Sequence, residues 1–191
     1  MMIFGDAQLD PKLNLISQSY KDLLQKVHDD KKRQQGFGGK LKNVGKFLHF
    51  YNKWQPASVL DYGCGKGNIL EHFRKTYPNT QWYGYDPAVD VYSSIKIENV
   101  ECVFCNDVLE HIEPENLSNV LQHINSLATR YIWLRIDTQP ARKFLSDGRN
   151  AHLILEDEQW WHNKFYENIE GQIIYSNVNK KGKLDVAIKK R

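Results

Sequence analysis

The residues best suited to chemistry begin with a glycine-rich turn that follows an apolar run. The run ends at Leu60 and leads into one acid and three alternating glycines, Asp61, Gly63, Gly65 and Gly67. A second strand-like segment ends at another acid, Asp86, nineteen residues after the last glycine. Because glycine has no Cβ, such a turn lets a ligand approach the backbone, and a carboxylate ending the next strand can hold two ribose hydroxyls. The two segments predict a β-α-β unit that binds a ligand containing ribose.

A second polar group follows the apolar run Val100 to Phe104, which predicts a buried strand. The group consists of Asn106, Asp107, Glu110 and His111. Ligands bind beyond the carboxyl ends of parallel strands, so we expect these side chains on the same rim as Gly63 and Asp86. A long polar loop after the predicted strand Tyr131 to Asp137 brings His152 to that rim. Imidazole and carboxyl groups can take a proton from a hydroxyl or an amine, which makes Glu110, His111 and His152 the candidate catalytic residues.

The two groups together resemble the class I S-adenosylmethionine (SAM) methyltransferases. The matching segments are D-x-G-x-G-x-G at residues 61–67 and D-V-L-E-H at residues 107–111, and the match extends from about Val59 to the C-terminus. The resemblance implies SAM as cofactor, S-adenosylhomocysteine as product, and a SAM loop made of Asp61, Gly63, Cys64, Gly65 and Gly67. It also implies that Asp86 binds the ribose and that Pro87, Asn106 and Asp107 lie beside the cofactor. Nicotinamide-dependent enzymes use a different glycine spacing, G-x-G-x-x-G.

The remaining elements are those of one domain covering residues 1–191. Residues 1–54 predict a helical cap, with helices over Leu9 to Lys32 and Leu41 to Tyr51 separated by the glycine-rich stretch 36–39. The resemblance implies that this cap covers the SAM pocket. Residues 55–191 predict the core. Its later elements are helices near Pro114 to Ala128 and Asp157 to Phe165, and a β-hairpin of Gln172 to Val178 and Lys183 to Lys189.

One departure from the family pattern concerns the third strand. From Asp86 to Val100 the chain advances only fourteen positions, whereas a crossover between parallel strands alone takes a dozen residues or more. The sequence therefore predicts an α/β, Rossmann-like three-layer sandwich that lacks the usual third strand. Its sheet is mostly parallel and closes with the C-terminal antiparallel hairpin. Short methyltransferase-like proteins of bacteriophages are similar in this compression.

The D-V-L-E-H block also permits a metal site. Carboxylates and an imidazole at i, i+3 and i+4 can converge on one face of a helical turn, which would join Asp107, Glu110 and His111 to His152. Such a mixed oxygen and nitrogen set suits Mg²⁺, Mn²⁺, Fe or Co. It is similar to the E-x-x-E-H block of small-RNA 3′-end 2′-O-methyltransferases. Metal-free relatives also carry D-V-L-E-H, and a metal-free site is the favoured interpretation.

The sequence leaves the methyl acceptor open. It shows no appended target-recognition domain and no N-P-P-[YF] segment of adenine-N6 DNA methyltransferases. We therefore expect transfer to an oxygen or nitrogen of a small molecule or sugar. The alternative is metal-assisted 2′-O-methylation of an RNA 3′ end. An alternative of another class is a non-catalytic SAM-binding partner subunit, although a pure binder would not need Glu110, His111 and His152.

Composition and apolar patterning limit the cellular location that we expect for the protein. The chain has 191 residues, a net charge of +3 and three cysteines, which favours no disulfide framework. No apolar run approaches the roughly 20 residues that span a bilayer, and the N-terminus lacks the layout of a signal peptide. We expect a cytoplasmic protein of a bacterium or of a phage-infected host, without membrane partners. The sequence does not predict an oligomeric state.

Overall fold

Six strands form one sheet in the computed structural model, which describes residues 14–29, 41–95 and 97–191. The strands are β1 Ser58–Tyr62, β2 Gln81–Tyr85, β3 Val100–Asn106, β4 Ala128–Asp137, β5 Gln172–Val178 and β6 Lys183–Lys189. Their order across the sheet is β2-β1-β3-β4-β6-β5. Strands β1 to β4 are parallel, whereas β6 pairs antiparallel with both β4 and β5. The predicted parallel sheet with a closing antiparallel hairpin is confirmed.

Helices cover both faces of the sheet. They are α1 Gln18–Asp29, α2 Gly45–Trp54, α3 Asn68–Thr76, α4 Leu117–Leu127 and α5 Glu158–Asn168. Successive side chains of a strand point to opposite faces. In β3, Cys102 and Phe104 therefore pack in one core cluster with residues of α2 and α3, while Val103 and Cys105 pack in another with residues of α4 and α5. The three-layer arrangement follows from this alternation.

The link between β2 and β3 confirms the predicted loss of the usual third strand. Among its described residues, which omit only Lys96, the regular structure is a single 3₁₀ turn at Asp90–Tyr92. Strand β2 consequently forms an edge of the sheet. No helix in the described parts of the chain is long and apolar enough to cross a membrane.

Helix α1 begins later than its apolar periodicity predicts. The described helix starts at Gln18 because Ser17 acts as its N-cap, with the Ser17 hydroxyl accepting a hydrogen bond from the Tyr20 N–H at 3.2 Å. The first part of the predicted helix, Leu9 to Leu13, lies outside the described residues, as do residues 30–40 with the glycine-rich stretch 36–39. Helix α2 also starts later than predicted, at Gly45, after a 3₁₀ turn at Leu41–Asn43.

The elements after β3 differ from their predicted bounds by a few residues only. A 3₁₀ turn at Pro114–Asn116 leads into α4, which begins at Leu117, and β4 begins at Ala128 rather than at Tyr131. The hairpin between β5 and β6 has the predicted bounds. Gly182 adopts a φ of 70° in its turn and donates its N–H to the Asn179 carbonyl at 2.9 Å.

The glycine turn after β1 wraps over the end of β2. The N–H groups of Gly63 and Cys64 both donate to the Tyr85 carbonyl, at 2.7 and 3.0 Å. Gly63 has a φ of 76°, and a Cβ at this position would lie 2.5 Å from Cγ2 of Val108. Both the backbone conformation and the close approach of Val108 therefore require glycine.

We expect the Gly63→Ala substitution to lower the free energy of unfolding by about 1–3 kcal/mol, because it combines backbone strain with a steric clash. The measurement is urea unfolding of the variant beside wild type. Gly45→Ala is the matched control, since no atom lies within 4 Å of a Cβ at that position. Equal stability of the Gly63→Ala variant and wild type would contradict the close packing of this turn.

A buried histidine lies among the apolar residues between the sheet and α4. The His123 side chain is inaccessible to solvent, and its Nδ1 lies 2.9 Å from the Tyr62 hydroxyl. Burial lowers the pKa of His123 from 6.5 to about 4. As pH falls from about 6.5 towards about 4, His123 therefore binds a proton in the unfolded chain but not in the folded one. Folded stability decreases over this range.

We expect wild type to lose more free energy of unfolding than His123→Gln between about pH 7 and about pH 4.5, because glutamine cannot take the proton. Urea unfolding at several pH values measures both slopes. His72→Gln, on the exposed side of α3, should keep the wild-type slope. A His123→Gln slope equal to that of wild type would show that His123 is not held neutral.

Candidate functional site

The predicted ribose-binding acid lies against the glycine turn. One carboxylate oxygen of Asp86 accepts the Gly65 N–H at 2.9 Å, and the other accepts the Ala88 N–H at 3.0 Å. Asp61 lies buried nearby, and burial together with the charge of Asp86 raises the pKa of Asp61 to about 7. The glycine turn, Asp61 and Asp86 thus form one polar edge at the carboxyl ends of β1 and β2.

A cavity connects this edge with the D-V-L-E-H block. It is lined by Gly63, Asp86 and Pro87 on one side and by Asp107, Val108 and His111 on the other. The segment from Leu15 to Leu24, which includes the start of α1, supplies a further apolar wall through Leu15, Ile16, Tyr20 and Leu24. Of the predicted site residues, Gly63, Asp86, Pro87, Asp107 and His111 therefore line one cavity.

Hydrogen bonds hold α1 over this cavity. The Ser17 hydroxyl donates to Glu113 Oε1 at 2.6 Å, and the Ser17 N–H donates to Oε2 at 2.8 Å. The Tyr20 hydroxyl donates to the His111 carbonyl at 2.8 Å. The helix is thus fixed to the chain segment that carries the candidate catalytic residues, an arrangement that periodicity alone could not predict.

Asp107 lies on the predicted rim but outside the helical turn that carries Glu110 and His111. Its φ of 55° places the residue in the left-handed region, and its N–H donates to the Arg135 carbonyl at 2.8 Å. The Asp107 carboxylate accepts from Lys183 Nζ at 3.1 Å and from the Asn106 side-chain amide at 3.2 Å. The prediction that Asp107, Glu110 and His111 share one face of a helical turn was wrong, because the helical turn begins only at Leu109.

Lys183 is a residue of this rim that the sequence analysis missed. Its ammonium lies 3.1 Å from the Asp107 carboxylate and 2.7 Å from the Asp137 carboxylate. Burial favours the neutral amine, but these two carboxylates outweigh it and raise the pKa of Lys183. The predicted hairpin was the available signal for Lys183. Because β6 runs antiparallel to β4, its first residue, Lys183, lies opposite Asp137 at the carboxyl end of β4.

Glu110 is fully buried in a 3₁₀ turn, Leu109–His111. Its Oε1 accepts the Asp137 N–H at 2.9 Å, and its backbone carbonyl accepts the N–H groups of Leu153 and Ile154 at 2.7 and 3.1 Å. No described residue donates a hydrogen bond to Oε2. Burial, reinforced by the charge of Asp107, raises the pKa of Glu110 to about 8.

The imidazoles of His111 and His152 meet beside Glu110. Their ring centroids are 4.9 Å apart and the ring planes cross at 76°. Nδ1 of His111 lies 2.6 Å from the Ala151 carbonyl, and Nδ1 of His152 contacts the Gln139 carbonyl. Because a carbonyl can only accept, Nδ1 is the donor in each ring and the neutral tautomer has its lone pair on Nε2. Burial and the neighbouring His152 lower the pKa of His111 to about 4.

Asn150 positions His152 within the loop that follows β4. Its side-chain carbonyl accepts the N–H groups of Ala141 and His152 at 3.0 and 2.9 Å, and its amide donates to the Ala141 carbonyl at 2.9 Å. Asn150 thus joins Ala141 to His152 within the loop. The Glu110 carbonyl accepts the N–H groups of the two residues after His152, Leu153 and Ile154. Sequence analysis placed His152 on the rim but did not identify Asn150 as the residue that fixes it.

Three of the four residues of the alternative metal set come together. One ligand atom each from Glu110, His111 and His152 lie within 4.8 Å of one another. Asp107 does not belong to this group in the described part of the chain, because its carboxylate is turned towards Lys183. The four-residue set is therefore corrected to a set of three.

Comparison with known proteins agrees with this geometry. The sequence matches the family model described as methyltransferase domain over residues 30–177, whereas a search of curated proteins finds no match. The fold is similar to 1,6-didemethyltoxoflavin-N1-methyltransferase of Burkholderia thailandensis, with a TM-score of 0.63 and 15% identity over 90% of this chain and 89% of that one. It is also similar to magnesium protoporphyrin IX methyltransferase of Synechocystis, with a TM-score of 0.60 and 17% identity over 90% and 97%. The chain therefore belongs to the methyltransferase domain family and is a class I SAM-dependent methyltransferase.

Proposed function

We propose that the protein transfers the methyl group of SAM to an oxygen or nitrogen atom of a small-molecule or sugar acceptor held beside Glu110, His111 and His152. One observation carries this proposal. The cavity that is lined by Gly63 and Asp86 on the cofactor side is lined by His111 on the other side. A methyl donor and an acceptor bound in that cavity would therefore be neighbours.

On the cofactor side, the proposal assigns the amino-acid end of SAM to Asp61 and the loop of Gly63, Cys64, Gly65 and Gly67. It assigns the ribose to Asp86, whose carboxylate oxygens each accept one backbone N–H group and can each accept a hydroxyl donor as well. Pro87, Asn106 and Asp107 flank the cofactor. Asn106 Oδ1 is buried and accepts no hydrogen bond from the described residues, so it suits a donor such as the cofactor ammonium.

On the acceptor side, methyl transfer is an in-line displacement. The acceptor atom must be held about 3–3.5 Å from the methyl carbon, and positioning supplies much of the rate. The new bond to oxygen or nitrogen forms as the bond from carbon to sulfur breaks, and S-adenosylhomocysteine leaves. The acceptor must also lose a proton, and Nε2 of His111 and Nε2 of His152 are the suitable acceptors for it.

Fold neighbours support a small acceptor. The two proteins compared above are named for methylation of 1,6-didemethyltoxoflavin and of magnesium protoporphyrin IX. A third, named mitomycin 7-O-methyltransferase, has a TM-score of 0.60 and 11% identity over 79% of this chain and 54% of that one. Their acceptors differ in size and in the atom methylated, so they favour the small-molecule class without naming a compound for this chain.

A cofactor-side test uses Asp86. We expect Asp86→Asn to weaken binding of S-adenosylhomocysteine at least tenfold, because an amide replaces one of the two acceptor oxygens and loses the charge. Calorimetric titration measures the affinity. Asp90→Asn, an exposed acid just beyond the same edge, should bind as wild type does. Equal affinities for Asp86→Asn and wild type would contradict the assignment of the ribose to Asp86.

An acceptor-side test uses His152. We expect His152→Ala to keep the wild-type affinity for S-adenosylhomocysteine but to lose roughly 10²- to 10⁴-fold in turnover, since positioning and proton acceptance are both impaired. Release of S-adenosylhomocysteine is measured with phenol, amine, sugar and RNA 3′-end acceptors. His72→Ala is the control.

The outcomes separate the alternatives. Turnover with the RNA alone would replace the small-molecule proposal by 2′-O-methylation of an RNA end. Cofactor binding without turnover on any acceptor would favour the non-catalytic partner subunit. Full activity of His152→Ala on an identified acceptor would remove His152 from the site.

A further inference from the structure

We propose that Glu110, His111 and His152 bind one divalent transition-metal ion, such as Mn²⁺, Fe²⁺, Co²⁺ or Zn²⁺, on the acceptor side of the cavity. This inference deepens the proposed function by favouring an oxygen acceptor, but ion binding itself can be measured without cofactor or acceptor. It rests on the arrangement of three side chains that come from two separate segments of the chain.

The spacing of the three groups suits a shared ion. Their ligand atoms lie within 4.8 Å of one another. Ligand atoms at about 2.0–2.2 Å from one ion lie roughly 3–4 Å apart. The three groups therefore lie near the separation that one shared ion requires.

The orientation of both imidazoles supports the same conclusion. Each ring donates its Nδ1–H to a backbone carbonyl, that of Ala151 for His111 and that of Gln139 for His152. A hydrogen bond of this kind fixes the ring and its tautomer and is the usual outer-shell contact of a metal-binding histidine. With Nδ1–H donated in this way, Nε2 is the atom of each ring that can bind a metal ion.

The Glu110 carboxyl supplies the second, independent observation. Its side chain is fully buried, and its Oε1 is held by the Asp137 N–H. Its Oε2 receives no hydrogen bond from the described residues. A buried carboxyl oxygen without a partner is costly, and a cation bound at Oε2 would remove that cost.

The charges around the site define which residues are ligands. Asp107 is neutralised by Lys183, whose ammonium also pairs with Asp137, so neither acid is available to an ion. Three protein ligands leave coordination positions open, and His111 also lines the cavity that contains Asp86. Two imidazoles and one carboxylate favour a first-row transition ion over Mg²⁺, which prefers oxygen ligands.

An ion here would act on the acceptor. Held by Glu110, His111 and His152, an ion would make a hydroxyl beside it more acidic, and water would take the proton. The acceptor oxygen would then form its bond to the methyl carbon as the bond from carbon to sulfur breaks. The two Nε2 atoms then bind the ion instead of receiving the proton, and hydroxyl acceptors are favoured over amines.

The test is calorimetric titration of the chelator-treated full chain with MnCl₂, CoCl₂, ZnCl₂ and MgCl₂. We expect one transition ion per chain, with Mg²⁺ bound at least tenfold more weakly. Glu110→Gln and His152→Ala should each weaken transition-ion binding at least tenfold. The visible spectrum of bound Co²⁺ should change in either of these two variants if it still binds the ion.

Controls keep the result interpretable. His72→Ala should bind the ion as wild type does, and Asp107→Asn should retain the ion because Asp107 is not among the ligands. Circular dichroism establishes that each variant is folded, and the affinity for S-adenosylhomocysteine is measured for wild type. Failure of wild type to bind any ion, or equal binding by His152→Ala, would overturn the metal site. Failure of wild type to bind S-adenosylhomocysteine would instead overturn the proposed function.

Discussion

Glu110 is the residue on which the arrangement of the site depends. Its backbone carbonyl accepts two N–H groups from the loop that follows β4, and its carboxyl accepts the N–H of Asp137 at the end of β4. Three segments that are distant in sequence are therefore joined at one buried residue. Since buried hydrogen bonds are costly to break, the loop is held against the 3₁₀ turn, and His152 stays beside His111.

The cofactor half of the cavity depends on a separate set of bonds. The glycine turn is fixed to the end of β2 through the Tyr85 carbonyl, and Asp86 is fixed to the turn through Gly65. With the usual third strand missing, the segment around the start of α1 supplies an apolar wall of the cavity. The hydrogen bonds of Ser17 and Tyr20 connect that wall to the segment that carries the candidate catalytic residues. The start of α1 therefore links the cofactor half of the cavity to the catalytic half.

Local patterns predicted most of the fold. The alternation in β5 and β6 gave both strand bounds, and the short span between Asp86 and Val100 predicted the missing strand. These features depend on neighbouring residues or on chain length, which a sequence displays directly. The start of α1 was predicted too early, because Ser17 caps the N-terminus of the helix at Gln18. The convergence of Asp107 with Glu110 and His111 on one helical face was also wrong, since Asp107 has a left-handed φ and the 3₁₀ turn begins only at Leu109.

The sequence by itself determined the family, the cofactor and the candidate residues on the rim, because glycine spacing and strand-ending acids are local requirements of binding a nucleoside. Only the tertiary structure decided which of those residues meet. Asp107 pairs with Lys183, and Asn150 holds the loop in which His152 lies beside His111. The pair of Asp107 and Lys183 joins residues that are 76 positions apart in the chain. The contact of His152 with His111 depends on how the loop after β4 folds back. Such pairings arise from packing and charge balance in three dimensions, which spacing along a chain does not encode.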